Sequence, residues 1–447
     1  MKIPFYTWFL RLPEKINNEK LKANFKQAFP YWIASLITGL VAVLYTKLFG
    51  WAEMLSGFIL SKQPWLIFII TPISFVSAWW LVKKYARNAR GSGIPAVMAS
   101  LELATPLKNH LVNKLLSIRI ILVKIFSTLL MVLGGGAIGR EGPTVQIAAS
   151  IFRKVNQLIP ESWPKISKKN MILTGAAAGL AAAFNTPLGG IVFAVEELAK
   201  THISNFKTAI FTAVIIAGLT AQYILGSYLY IGYPDVNGLS GYIFLFVAIV
   251  AVIAGFMGAA MSRMIIKIMR WKRTIKMKGF ELMYVLFCAM LMALIAYSGL
   301  HSILYSGKAE MTNLLFNANK YGGWKLPVLR IVGPIASFST GAAGGVFAPA
   351  LSAGAAIGSL VSEWFSLASA NANLLILAGM VAFLTGVTRS PFTSAILVLE
   401  MTNSHNIIFH LMLSGLIAGM VAMTVDKRSF YEHLKDQYLH EVQLEAV

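Results

Sequence analysis

The chain has 447 residues, of which 57% are hydrophobic and only 13% charged, and its mean hydropathy is +0.68. That balance excludes a soluble globule and predicts an all-α polytopic membrane protein. A formal charge of +21 would suit nucleic acid, but the basic residues fall in blocks between apolar runs, and a lone cysteine, Cys288, supports neither an internal disulfide nor a thiolate metal cluster.

Residues 1–28 carry Lys2, Arg11, Lys15, Lys20, Lys22 and Lys26 and read as a cytoplasmic N-terminal segment, too interrupted for a cleavable signal peptide. From Phe29 to Val425 everything reads as helix, because unpaired strands cannot span lipid. Uncharged runs from Gln63 to Val82, Met171 to Val195, Gly241 to Ser262, Ile331 to Ser362 and Phe365 to Thr388 each exceed the ~18 residues a spanning helix needs. The longest of them must bend or break. Basic blocks at Lys83, Lys84, Arg87 and Arg90, at Arg153 to Lys169, and at Arg263 to Lys278 are expected on the cytoplasmic side, whereas Gly226 to Gly241 has no Lys or Arg and is expected outside.

Three breaks interrupt the apolar pattern: Gly91-Ser92-Gly93-Ile94-Pro95, Gly139-Arg140-Glu141-Gly142-Pro143 and Gly345-Val346-Phe347-Ala348-Pro349. Each places a proline where a new helix begins, costing no useful donor there, and a glycine that lets the backbone approach a ligand. Helix amino termini inside a membrane aim free N–H groups and a positive dipole end inward. Three such ends are expected to replace much of an anion's hydration shell without any fully buried cation. For a single break a plain kink or close helix packing is the simpler account, since glycine and proline are common in membrane helices. Glu141 weighs against that, because an acid at such depth is costly and functional by default.

The pattern also repeats. Leu173-Thr174-Gly175-Ala176 through Asn185-Thr186-Pro187 matches Leu377-Ala378-Gly379-Met380 through Arg389-Ser390-Pro391, the same offset pairs Glu196 with Glu400, and the Gly139 and Gly345 breaks align two residues further apart. Two halves, about 29–223 and 241–425, are expected to intertwine in one transport domain over 29–426, with 427–447 as a cytoplasmic C-terminal helix and tail. Such repeats often enclose a site at the membrane midplane.

With Ala183-Phe184-Asn185-Thr186-Pro187-Leu188-Gly189-Gly190-Ile191, Glu196-Glu197 and Ser390-Pro391 through Leu399-Glu400-Met401-Thr402, the three breaks resemble the signature segments of the CLC chloride channels and transporters. The resemblance covers nearly the whole chain. It implies an inverted-repeat fold with broken, partly spanning helices, a homodimer with one pore per subunit, and no cofactor, metal, enzymatic activity or CBS domain. It further implies an integral protein of the bacterial inner membrane with both termini cytoplasmic. Ser92 and Tyr431 resemble the hydroxyl donors to a central chloride, the N–H groups of Val346 and Phe347 resemble further donors, Glu141 resembles the external gating carboxylate, and Glu197 resembles the internal proton acceptor. Glu197 favours proton-coupled chloride exchange over a passive chloride channel, and fluoride is not the expected ion.

Each assignment has a simpler rival. Glu141 can pair with Arg140, Ser92 can cap a helix, Tyr431 can be an interfacial belt aromatic, and Glu197 can be a surface acid pairing with Lys200. Glu196 and Glu400, at equivalent positions, are expected to serve structure. The seven histidines show no ligand spacing with paired carboxylates.

Overall fold

The computed structural model describes residues 18–199, 207–226, 230–275, 277–318, 320–367 and 369–444. Lys2, Arg11, Lys15, Lys200, His202 and Lys276 lie outside the described residues. Within them the chain is helical, with two isolated backbone bridges and no strand.

The first half runs through α1 (Glu19–Lys62), α2 (Ile67–Tyr85), α3 (Ile94–Leu103), α4 (Val112–Leu115), α5 (Ile118–Leu133), α6 (Glu141–Leu158), α7 (Lys168–Phe184), α8 (Pro187–Phe193) and α9 (Lys207–Leu225). The second runs through α10 (Ile243–Thr274), α11 (Phe280–Tyr297), α12 (Lys308–Phe316), α13 (Lys325–Ser339), α14 (Phe347–Trp364), α15 (Ser369–Thr388), α16 (Pro391–Thr402) and α17 (Ile408–Val425), and α18 (Phe430–Leu444) closes the chain. Among the described residues, eight helices are long and apolar enough to cross a membrane, including α1, α9, α10, α11 and α15. The helix α1 begins well before the expected boundary at Phe29. Asn18 caps it, its Oδ1 accepting from the N–H groups of Lys20 and Leu21 at 3.0 and 3.2 Å, which satisfies two of the donors that a helix start leaves without an intrahelical acceptor.

The two longest uncharged runs do break. Asn185 and Arg389 end α7 and α15 in the left-handed conformation, with φ of 57° and 66°, and a proline at the first position of α8 and α16 restarts the chain in a new direction. Arg389 is held in this uncommon backbone state by its guanidinium, which donates to the carbonyls of Gly386, Ala422 and Asp426. The run from Ile331 to Ser362 opens between α13 and α14.

The helix α15 is the axis of the core, buried from Ala372 to Thr388, whereas α1, α9 and α11 expose long apolar stripes such as Leu36, Leu40 and Leu44. In lipid no hydrophobic drive holds helices together, so close backbone approach must do it. The approach is closest between α14 and α15, where a Cβ on Gly379 would lie 2.2 Å from the Gly354 carbonyl oxygen and one on Gly354 would lie 2.1 Å from that of Gly379. A larger side chain at either position forces the pair apart, and overpacking of this kind costs about 1–3 kcal/mol.

Candidate ion-transport site

Two backbone bridges gather the three breaks. Gly139 and Gly345 exchange N–H···O bonds of 2.8 and 2.7 Å, and Gly91 donates to Ala342 and accepts from Gly344 at 2.9 and 3.1 Å. The amino termini of α3, α6 and α14 therefore start from one small region. The last two are equal-length helices that each start two residues after one of those reciprocally bonded glycines. Gly93 precedes α3 with φ of 97°, a conformation that excludes ordinary side chains, and Ile94-Pro95 then open the helix.

Ser92 is buried against α6. A Cβ on Gly142 would lie 2.1 Å from Ser92 Oγ, so only glycine admits the hydroxyl at that depth. The Tyr431 phenol, at the start of α18 and fully buried, faces the Ser92 hydroxyl closely enough for the two to interact, but no hydrogen bond of full geometry closes on Ser92 Oγ or Tyr431 Oη. Two buried hydroxyls that face each other without a full hydrogen bond fit a ligand that accepts from both, because incomplete pairing of buried donors is costly. Tyr431 stacks on Phe347 with ring centroids 6.1 Å apart and planes 16° from parallel, so it is a core residue and not a belt aromatic. Val346 and Phe347 are buried where α14 begins, and the helix rule leaves the first N–H groups there without an intrahelical acceptor. Serine capping of α3 is not formed: Gly93 is its N-cap and no side chain caps it.

Glu141 is 1% exposed. Its Oε1 accepts from Tyr230 Oη at 3.2 Å, and the N–H groups of Glu141 and Ala348 face the carboxylate without closing a hydrogen bond on Oε2. The carboxylate thus lies between the starts of α6 and α14. Arg140 donates to the Thr46 carbonyl and sits 5.9 Å from the Tyr230 ring centroid.

Glu197 occupies a π-helical turn, Ala194–Ala199, that continues α8. It is 4% exposed, not a surface acid, and its Oε2 accepts from Ser390 Oγ. Tyr431 is within electrostatic reach of both Glu197 and Glu141. The neighbouring glutamates do something else. Glu196 accepts from the N–H groups of Phe392 and Thr393 at 3.2 and 2.6 Å, and Glu400 accepts from those of Leu188 and Gly189 at 3.0 and 2.7 Å. Each carboxylate caps the amino terminus of the other half's short helix, where the dipole favours negative charge.

Below Ser92, a cavity of about 130 Å³ is lined by Lys83, Arg87, Arg90, Lys272, Arg273 and Glu281 among others. A smaller cavity shares Arg90 and Gly341 with it and reaches Ser92. Arg90 pairs with Glu441 at 2.8 Å and Tyr438 Oη donates to the Arg90 carbonyl at 2.8 Å, so α18 is fastened to the residue preceding Gly91.

Two cations that the sequence reading did not single out are fully buried. Lys124 and Arg330 are both 0% exposed. Lys124 Nζ donates to Gln146 Oε1 at 2.6 Å, and Gln146 Nε2 in turn reaches the carbonyls of Asn88 and Leu115, behind the Ser92 loop. Arg330 donates to the carbonyls of Ser302, Leu304 and Tyr305. The cations are tolerated because carbonyls and an amide surround them. A lone lysine inside the apolar run of α5 was the available signal for the first; nothing local signalled Tyr230.

The profile of the family described as "Voltage gated chloride channel" matches residues 73–423. The chain is 28% identical over 424 residues to the H(+)/Cl(-) exchange transporter ClcA of Cronobacter sakazakii, covering 89% of this chain and 87% of that one. It is 29% identical over 426 residues to the protein of that name from Citrobacter koseri, covering 89% and 86%. Its fold is similar to that of a slow cyanobacterial Cl-/H+ antiporter, with a TM-score of 0.81 at 23% identity over 93% of this chain and 98% of that one. With a match over most of its length and converging helix starts at its centre, the chain belongs to the voltage gated chloride channel family.

Proposed function

We propose that this multi-pass membrane protein is a secondary active transporter exchanging chloride for protons. The observation that carries the reading is the pair of buried acids, Glu141 and Glu197, both within electrostatic reach of the Tyr431 phenol that faces Ser92. The relatives named as proton/chloride exchangers support it.

In this reading Ser92 Oγ, Tyr431 Oη and the N–H groups of Val346 and Phe347 hold a central chloride. Neutral donors bind the anion without trapping it. The Glu141 carboxylate competes with chloride for the ends of α6 and α14; protonation removes that competitor and loads a proton in one step, so a single group couples both fluxes. Glu197 exchanges protons with the inner face and passes them toward Glu141. Chloride takes a separate inner route, through the basic cavity past Arg90 to Ser92. The basic cavity end is cytoplasmic in this orientation, the membrane is the bacterial inner membrane, and the two halves are inverted repeats. The protein is a homodimer joined through α8, α9, α16 and α17, whose exposed apolar residues include Leu188, Leu219, Phe392 and Leu416.

A passive chloride channel of the same fold is the second reading, favoured by the family's name; the buried Glu197, which a channel does not need, argues against it. Purified protein in liposomes under a chloride gradient decides between them. Exchange drives protons uphill until an uncoupler is added, whereas chloride flux with no proton movement supports the channel. Mass measurement of the detergent-solubilised protein should report a dimer.

A further inference from the structure

We propose that Tyr230, in the connection between α9 and α10, is a positioning residue that latches the Glu141 carboxylate in its seated, ionised state and so sets the external pH at which chloride flux turns on. The inference rests on the reading of Glu141 as the gating acid. No motif points to Tyr230, which lies in a stretch the sequence marks only as lacking Lys and Arg.

The latch is built on both sides. Tyr230 is 3% exposed and its Oη donates to Glu141 Oε1 at 3.2 Å. Its ring meets Phe184, the last residue of α7, edge to face at 5.1 Å, and the next residue, Ile231, donates its N–H to the Met401 carbonyl of α16 at 3.3 Å. Lys308 Nζ lies 4.6 Å from the ring centroid and Arg140 Cζ 5.9 Å. The connection is therefore pinned to both halves, and the phenol is held over the carboxylate by packing.

The groups facing Glu141 come from several elements: Arg140 beside it, Lys308 from α12, Tyr45 from α1, Tyr431 from α18 and Tyr230 itself. Glu53, also on α1, shares Arg140 and Lys308 with it. Of the neutral groups, Tyr230 is the one whose O–H reaches the carboxylate in a hydrogen bond on Oε1. A phenol donates more strongly to a carboxylate than to a carboxylic acid. Proton arrival from the external water therefore weakens the bond it must displace, and the neutral side chain leaves the ends of α6 and α14 to chloride.

Tyr230→Phe keeps the ring, its contact with Phe184 and its cationic neighbours, and removes only the donor. In liposomes it should move the external pH of half-maximal chloride flux upward by roughly one unit, the size expected for one hydrogen bond to a charged group. Coupled proton movement should persist. In a Glu141→Gln background the same substitution should change nothing. A Tyr230→Phe profile that superimposes on the parent, or flux scaled equally at every pH, overturns the latch while leaving the gate intact. Retained proton pumping in Glu141→Gln alone overturns the gate reading instead. A Tyr230→Phe effect that survives in the Glu141→Gln background also overturns the latch, because it then acts through another group.

Discussion

Glu141 and Gly142 are adjacent in sequence and do opposite work. The first supplies charge where α6 and α14 begin, and the second supplies absence of bulk so that Ser92 can reach the same point. In the proposed exchange, Glu141→Gln imitates permanent protonation, so chloride passage should persist, uphill proton movement should fall to the leak seen in empty liposomes, and the pH dependence of flux should flatten. Gly142→Ala places a methyl 2.1 Å from Ser92 Oγ and must displace the hydroxyl. Calorimetry should then show at least a tenfold loss of chloride affinity, the loss of about one hydrogen bond to an ion. Affinity equal to the parent would remove Ser92 from the site. These residues were legible because the chemistry and its local cause share one pentapeptide. Tyr230 and Lys124 were not, since their partners Glu141 and Gln146 are 89 and 22 residues away in sequence. Only the fold brings them together.

At the scale of elements, the paired short helices α8 and α16 set the capping acids Glu196 and Glu400 apart from the inward-turned Glu197. Glu196 and Glu197 are neighbours in the π-helical turn, yet one caps α16 and the other turns inward to Ser390, because adjacent residues of a helical turn point to different faces. Glu197→Gln should abolish proton movement and leave chloride binding nearly unchanged. Glu196→Gln and Glu400→Gln should each keep coupling and instead lower stability by about 1 kcal/mol, the usual worth of a helix cap, read as a reduced melting temperature in detergent. Coupling lost equally in all three variants would refute the division. The sequence revealed that Glu196 and Glu400 are equivalent, through their shared offset. It did not reveal that each serves the other's helix, which depends on how the halves face. Helix existence was plain from the apolar runs, and the interruptions from glycine and proline; the start of α1 was misplaced because the reading followed charge and overlooked Asn18.

For the whole molecule, the net charge of +21 finds a use that composition alone could not specify. Lys83, Arg87, Arg90, Lys272 and Arg273 line one cavity, and although Glu281 pairs with Lys83 and Glu441 with Arg90 and Arg273, the cations outnumber these acids at what is, in the proposed exchange, the mouth of the chloride route to Ser92. Fields of this kind raise the local concentration of counter-ions and fade beyond about 10 Å at 0.1 M salt. Lys83 and Arg87 are exposed. Replacing both with glutamine should slow chloride entry from that face several-fold at low ionic strength and much less in high concentrations of an impermeant salt. An equal deficit at all ionic strengths would mean a steric effect.

The exchange of caps between α8 and α16 also bears on how the protein is made. While only the first half has been synthesised, the N–H groups of Leu188 and Gly189 have not yet met the carboxylate that will cap them, and Glu196 has not met α16. Each half therefore lacks the carboxylate that caps its own short helix, and both caps form only when the two halves are together.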